Sequence, residues 1–115
     1  MGDAAHASMP YAGNGAAQAL EDVAVVDHLF SKLESVEQIP ALFEAYDAVR
    51  RPRSQEVVDL ARKFGRVYAY AEPTVGNTPE EMGAFFGGAS KLTNEFDLDK
   101  QNADAMMIFQ KAVGG

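Results

Sequence analysis

Cysteine and tryptophan are both missing from the 115 residues. Without thiols there are no disulfides, no thiolate catalysis and no cysteine-ligated zinc or iron–sulfur centre. A cysteine-free chain fits a reducing compartment without requiring one. No apolar run approaches the roughly 18–20 residues of a membrane span, and no charged-then-apolar leader opens the chain. The expectation is a soluble, cytoplasmic protein with no membrane partner. Basic residues are also scarce, 10 against 17 acidic for a net charge of −7, which argues against a nucleic-acid partner. Only two histidines occur, His6 and His28, and two imidazoles without a fitted third ligand predict no metal site. No segment of useful length alternates apolar and polar residues, and no internal repeat is visible, so strands have no support.

What is present is helical. Ala19, Val23, Val26, Phe30 and Leu33 recur at steps of four, three, four and three, a stripe that predicts an amphipathic helix over 16–35 with Asp22, His28, Lys32 and Glu34 off its buried face. A second helix is expected to start near 36–38, with Pro40 tolerated in its first turn and Ile39, Leu42, Phe43, Tyr46 and Val49 turned inward. Pro52 removes a backbone donor and crowds the preceding turn, which predicts a kink or break near Arg50 and Arg51. Ser54 is placed to cap a restart, after which Val57, Leu60, Ala61, Phe64, Val67 and Tyr68 carry helical spacing to about Tyr70. Thr78-Pro79-Glu80-Glu81 reads as a helix start, followed by a short helix weakened at Gly87-Gly88. Residues 94–98 read as irregular. Asp97 or Asp99 then caps a last helix with Ala105, Ile108, Phe109 and Ala112 on one face, ending at Gly114-Gly115. The fold class is all-α: one domain of four to five helices in an irregular bundle, with the opening loop over 1–15 and helices over 16–115.

The opening residues stand apart from this pattern. Gly2-Asp3-Ala4-Ala5-His6 reads as a small-residue turn, and Pro10, Gly13, Asn14 and Gly15 form a Pro/Gly loop that runs abruptly into a helix. Glycines let a flat or charged group approach the backbone, and the helix start offers unpaired N–H groups at the positive end of a dipole. That combination suits an anionic or electron-rich ligand. A Pro/Gly turn that merely begins a helix would look the same.

The run Gly2-Asp3-Ala4-Ala5-His6, then Pro10, Gly13, Gly15 and Glu21-Asp22, resembles the second flavin-binding motif of the class A FAD-dependent monooxygenases, with the salicylate hydroxylase-like aromatic hydroxylases nearest in pattern. Tyr46-Asp47-Ala48-Val49-Arg50-Arg51-Pro52-Arg53 is similar to a stretch those enzymes carry on the next helix. The resemblance covers most of the chain and implies the C-terminal part of such an enzyme. The G-x-G-x-x-G dinucleotide fingerprint of the family does not occur, so the expectation is the tail of a flavoenzyme presented as a chain of its own.

By that resemblance FAD is the implied cofactor, with Asp3 accepting hydrogen bonds from ribityl or ribose hydroxyls. Pro10, Gly13, Asn14 and Gly15 would lie against the isoalloxazine ring. No catalytic residue is assigned; His6 and His28 are the weak candidates, each as readily a structural or solvated histidine. Arg50, Arg51 and Arg53 form the one basic cluster, able to meet a phosphate or carboxylate but in so acidic a chain expected to pair with Glu44, Asp47 or Glu56. Tyr68, Tyr70, Phe85, Phe86, Met106 and Met107 read as core or interface, with a hydrophobic small-molecule pocket as the sharper alternative.

Three functions follow as expectations. The first is a truncated FAD-dependent monooxygenase module whose ancestral role is FAD binding and aromatic hydroxylation, without hydroxylation on its own. The second is a cofactor-independent isomerase, cyclase or hydrolase acting on a hydrophobic metabolite through His6, His28, Asp3, Asp22 or the tyrosines. The third is a non-catalytic helical oligomerisation module. Apolar faces around 23–33 and at Phe85-Phe86 predict a homo-oligomer, and a small aromatic or hydrophobic metabolite is the expected ligand class.

Overall fold

Five helices follow one another in the computed structural model, which describes residues 1–10 and 13–114: α1 (Asp3–His6), α2 (Gly15–Phe30), α3 (Ile39–Tyr68), α4 (Pro79–Asn94) and α5 (Leu98–Gly114), with a 3-10 turn at Val36–Gln38 before α3. No strand occurs among the described residues. Tyr11 and Ala12 of the opening loop, and Gly115 at the expected end of the last helix, lie outside the described residues.

The buried face of α2 is not the expected stripe. Gln18, Asp22, Val25 and Leu29 point inward, while Val23 and Phe30 are 53% and 42% exposed. The stripe differs because it sets Asp22 off the buried face by polarity and takes no account of Gln18, whereas both are satisfied by partners from other helices. The helix also stops at Phe30 rather than near residue 35. There the chain tightens into i→i+3 bonds, Lys32 N–H to the Leu29 carbonyl and Leu33 N–H to the Phe30 carbonyl, each 3.1 Å, and these satisfy carbonyls that a helix end leaves orphaned.

The long third helix corrects a second expectation. It runs for 30 residues with Pro52 inside it and no break. Proline deprives the Ala48 carbonyl of its partner, but Ala48 and Pro52 are both exposed, so water can take that bond. The residues flanking the proline are anchored: Arg50, Arg53 and Ser54 are all buried. Ser54 caps nothing; its hydroxyl donates back to the Arg51 carbonyl at 3.4 Å within the same helix.

The start of α4 is as expected. Thr78 Oγ1 accepts from the Glu81 N–H and the Glu81 carboxylate returns to the Thr78 N–H, a reciprocal capping box with Pro79 at the first position. The helix then continues through Gly87 and Gly88 to Asn94, so the glycines do not end it. Aromatic packing holds this part: the rings of Phe64, Phe85, Phe86 and Tyr68 stand 5.2 to 6.1 Å apart, edge-on or tilted. Asp97 caps α5 by accepting the Lys100 N–H at 2.9 Å. In α5 Ala105 and Phe109 are buried as expected, joined by Gln101 and Met106, but Ile108 is exposed.

Val25, Leu29, Leu42, Ala45, Ala105, Met106 and Phe109 form the main core where α2, α3 and α5 meet. Beyond it α3 projects as a rod, and the molecule measures 55 × 24 × 19 Å with a radius of gyration of 17.0 Å. A compact chain of this length would have about 13 Å. The end of α3 that carries α4 is therefore tied down by its own small aromatic cluster rather than by the main core.

Candidate functional site

The opening turn is fastened to the helices through one carboxylate. Asp22, fully buried on the inner face of α2, accepts the Arg50 Nε–H at 2.7 Å on Oδ1. Its Oδ2 meets His6 Nε2 at 2.5 Å and accepts the Gly2 N–H at 3.1 Å. Arg50 fans out the rest of its guanidinium: Nη1 donates to Gln101 Oε1 at 3.0 Å, and Nη2 to the Gln18 carbonyl and Oε1 at 3.1 and 2.9 Å. A planar donor fork matched to fixed acceptors is a task for arginine rather than lysine. Gln18 extends the chain to Asn14 Oδ1 at 2.9 Å and to Glu21, so α1, α2, α3, α5 and the loop before α2 share one polar network.

Arg53 makes a second, parallel link. Its Nε pairs with Glu21 Oε1 at 3.3 Å, its Nη1 donates to the Leu92 carbonyl at 2.7 Å, and its guanidinium lies 4.0 Å over the Phe96 ring. The expected partners of the arginine cluster are thus corrected in part. Arg51 does pair with Asp47, one turn away on the surface, but Arg50 and Arg53 reach back to Asp22 and Glu21 on α2 rather than to Glu44 or Glu56. Local spacing suggests intrahelical pairs. The tertiary pairs win because both arginines face inward, where an unpaired charge is costly.

The electrostatics follow from this geometry. Burial alone would raise the Asp22 carboxyl, but hydrogen bonds from Arg50, His6 and the Gly2 amide, with the Arg50 charge, outweigh it and hold the group below its ordinary value. Tyr46, packed beside it, is pushed up to about 12, first by burial and then by the Asp22 charge and hydrogen bond.

The residues expected at the site fall into two groups. Asp3 is exposed at the start of α1, and its carboxylate has no partner among the described residues. Pro10 is exposed, and its carbonyl accepts the Gly13 N–H at 3.0 Å. Gly13 has φ +64 and open space where a Cβ would stand, a backbone conformation that suits glycine. Asn14 precedes α2 without capping it through its side chain, and Gly15, Ala16 and Ala17 are exposed, so among the described residues no side chain caps the first turn. The network fastens this segment at Gly2, His6 and Asn14, with Asp3 next to the first of these and Gly13 and Gly15 next to the last. His6 is buried against Asp22, whereas His28 is half-buried on the last turn of α2, where the Val25 and Leu29 core begins to close.

Gln18 and Gln101 carry no sequence signal for the site; Asp22 enters from the sequence as part of the Glu21-Asp22 run and as a candidate acid or base, and Arg50 as part of the basic cluster, but their pairing with each other is not foreseen. The available signal was the pairing of adjacent acids, Glu21-Asp22, with arginines three apart, Arg50 and Arg53. Two hollows complete the picture. A cleft of about 360 Å³ is lined by His6, Tyr46, Arg50, Ser54 and Gln55. A larger open groove of about 900 Å³, between α3, the end of α4 and α5, is lined by Val49, Pro52, Arg53, Phe96, Met107 and Ile108 among others; it contains none of Asp3, His6, Pro10, Gly13, Asn14, Gly15 and His28.

Comparison with known proteins agrees with the motif. The family model for an FAD binding domain matches residues 1–61. A 6-methylsalicylate 1-monooxygenase of Aspergillus terreus is 34% identical over 98% of this chain and 25% of its own length. A salicylate hydroxylase of Pseudomonas putida is 34% identical over 91% of this chain and 24% of its own. An FAD-dependent monooxygenase of Gibberella moniliformis is 40% identical over 67% of this chain and 19% of its own. The chain spans about a quarter of the length of the curated relatives it matches. No solved structure matches it.

Proposed function

The chain belongs to the FAD-binding-domain family of FAD-dependent monooxygenases, and we propose that it supplies one wall of a flavin site in a cytoplasmic aromatic hydroxylase. The observation that carries this reading is the exposed opening segment itself: an Asp3 carboxylate with no partner among the described residues, followed by a glycine-bearing loop and a helix start without a side-chain cap. The donor set fits the cofactor. Asp3 can accept from sugar or ribityl hydroxyls, and the amides of Gly15, Ala16 and Ala17 can stabilise negative charge on a flat ring. Small residues at 13 and 15–17 leave room for the ring to approach. When bound, FAD supplies the oxygen-transfer chemistry; the protein's part is to bind, orient and shield it. The chain spans about a quarter of the length of these relatives, and hydroxylation of a small aromatic substrate would draw on the rest of such an enzyme.

The test is FAD titration followed by flavin fluorescence and visible absorbance. Binding that weakens at least about tenfold in Asp3→Ala supports the reading, since a charge-assisted hydrogen bond contributes about 1.5–3 kcal/mol. Binding that is indifferent to Asp3 refutes it. The outer face of α2 supports a homo-oligomer, because Leu20 is 71% exposed and Val23, Phe30 and the nearby Phe43 are also open. A monomeric mass at micromolar concentration would remove that part. The cleft beside His6 and Tyr46 offers a site for cofactor-free acid–base chemistry. A phenol pushed up to about 12 is poorly matched to proton transfer near neutrality, so the flavin reading is preferred.

A further inference from the structure

The α1 turn should not hold its shape unaided. It is four residues long, far below the length at which a helix sustains itself in water. Ala4 and Ala5 are exposed, and none of its residues belongs to the main core. Gly2, at φ 58 and ψ −145, adopts a conformation that the turn requires and that other residues resist. What fastens it is Asp22: one carboxylate oxygen takes both the Gly2 N–H and His6 Nε2, one contact at each end of the turn. The Ala5 and His6 amides in between close onto the Gly2 carbonyl at 3.0 Å each. The other carboxylate oxygen is held by Arg50, which in turn is gripped by Gln18 and Gln101. One further contact, Gln55 Nε2 to the Ala5 carbonyl, is long at 3.5 Å.

A carboxylate and a guanidinium buried among helices are a costly way to gain stability, since apolar residues of the same volume often serve as well. Their geometry offers something apolar residues cannot: fixed acceptors aimed at the two ends of one turn. Asp3 is the charged residue between those ends, exposed to solvent along with Ala4 and Ala5.

We propose that Asp22, oriented by Arg50, is the positioning residue of the flavin turn, locking Gly2 and His6 so that the Asp3 carboxylate is preset before any cofactor arrives. This rests on the flavin reading for what Asp3 meets, and not for the lock itself. Asp22 does not touch the cofactor. It acts through Gly2 and His6, and its effect on affinity is that of pre-organisation.

The experiment uses the intact chain and two readouts. Amide hydrogen exchange without flavin reports the lock; FAD titration reports its consequence. In His6→Ala the exchange of the Ala5, His6-position and Ala7 amides is expected to accelerate about 10- to 100-fold, the range corresponding to loss of a hydrogen bond to a charged group. Amides of α3 and α5 around Leu42, Ala45 and Phe109 should be unchanged, because the main core is untouched. His6→Gln, whose amide can reach Asp22, should restore slow exchange, and a merely space-filling role for His6 would not show that rescue. FAD affinity should follow the same order. Asp3→Asn should weaken FAD without changing exchange in the turn. Turn amides that exchange equally in wild type, His6→Ala and His6→Gln would overturn the proposal. So would uniform acceleration across the core amides, which would make His6 part of global stability. A wild-type chain that shows the exchange pattern but no FAD binding would sink the flavin reading while leaving the lock supported.

Discussion

Arg50 is the residue whose removal should be felt most widely. It is 2% exposed and makes four hydrogen bonds, to Asp22, to both oxygens of Gln18 and to Gln101. Arg50→Met keeps the length and apolar stem but deletes every one of those donors. Asp22 would remain buried and charged with only His6 and Gly2 against it, and two amide oxygens would lose their partner. Breaking a buried pair from one side costs about 3–5 kcal/mol. A domain of this size has about 5–15 kcal/mol in total, and the rod-like shape places this chain toward the lower end. Arg50→Met should therefore be marginally folded, with a urea midpoint cut by a third or more.

A double-mutant cycle isolates the pair. Asp22→Asn alone leaves buried Arg50 with only the more distant Glu21 carboxylate, 3.9 Å away, as counter-charge, while the combined Arg50→Met, Asp22→Asn chain strands neither member of the pair. The double variant should be more stable than additivity predicts by about 2–3 kcal/mol, at the upper end for residues sharing one network. Helical ellipticity in urea, with the slope of each transition checked for constancy, is the measurement. A coupling under about 0.5 kcal/mol, or an Arg50→Met cost under about 1 kcal/mol, would mean that the network is ornamental and that the apolar core of α2, α3 and α5 carries the fold without it.

Acid should act through the same carboxylate. Asp22 lies below its ordinary value of 3.8 when folded, so its contribution is complete above that value and is lost as pH falls through the lower folded one. The wild-type midpoint should drop below about pH 4, and Asp22→Asn should show a shallower drop, the remainder including Glu72, which its Arg66 hydrogen bond also holds down. Thr78→Ala removes the capping box of α4 and should cost about 1 kcal/mol, read as faster proteolysis in 79–94 rather than as a change in the main core. Gly87→Ala should do the reverse and stabilise by about 0.5–1 kcal/mol, because a Cβ there meets nothing within 4 Å; a loss of stability would show that α4 needs the glycine.

The parts of this fold that were legible are those decided by neighbours in sequence. Thr78, Pro79 and Glu81 lie within four positions, and their capping box follows from local geometry alone. The cap at Asp97 and the first-turn Pro40 are of the same kind. What sequence reasoning missed is settled across long separations. Asp22 and Arg50 are 28 residues apart, and Arg50 and Gln101 are 51 apart, so neither pairing has a periodic signature. Without those pairs polarity sends Asp22 to the surface, Gln18 gives no signal, and the stripe through Val23 and Phe30 becomes the default core. Pro52 was overweighted for a related reason. Its local cost is real, but it falls on an exposed face of a helix whose inner residues are anchored on both sides.

The misread helix is also the one that explains the site. The inner face of α2 changes character along its length, polar at Gln18 and Asp22 and apolar at Val25 and Leu29. The apolar half makes the core, and through it the helix is held firmly to α3 and α5. The polar half transmits that rigidity to α1 and the preceding loop, which have no core of their own. Had the polar half been apolar, α2 would pack as well, yet nothing directional would reach Gly2 and His6. The outer face runs the other way, with Leu20, Val23 and Phe30 exposed, so the same helix that fixes the turn from inside presents an apolar surface outside. A helix that is polar within and apolar without at its N-terminal half is stable only if its buried charges are paired and its outer face is covered. The Arg50 pairing meets the first condition inside this chain. The proposed homo-oligomer would meet the second by covering Leu20 and Val23, and Leu20→Glu, harmless to an uncovered helix, should then lower the mass in solution to that of a monomer while leaving the Asp22 network and the exchange pattern of the turn intact.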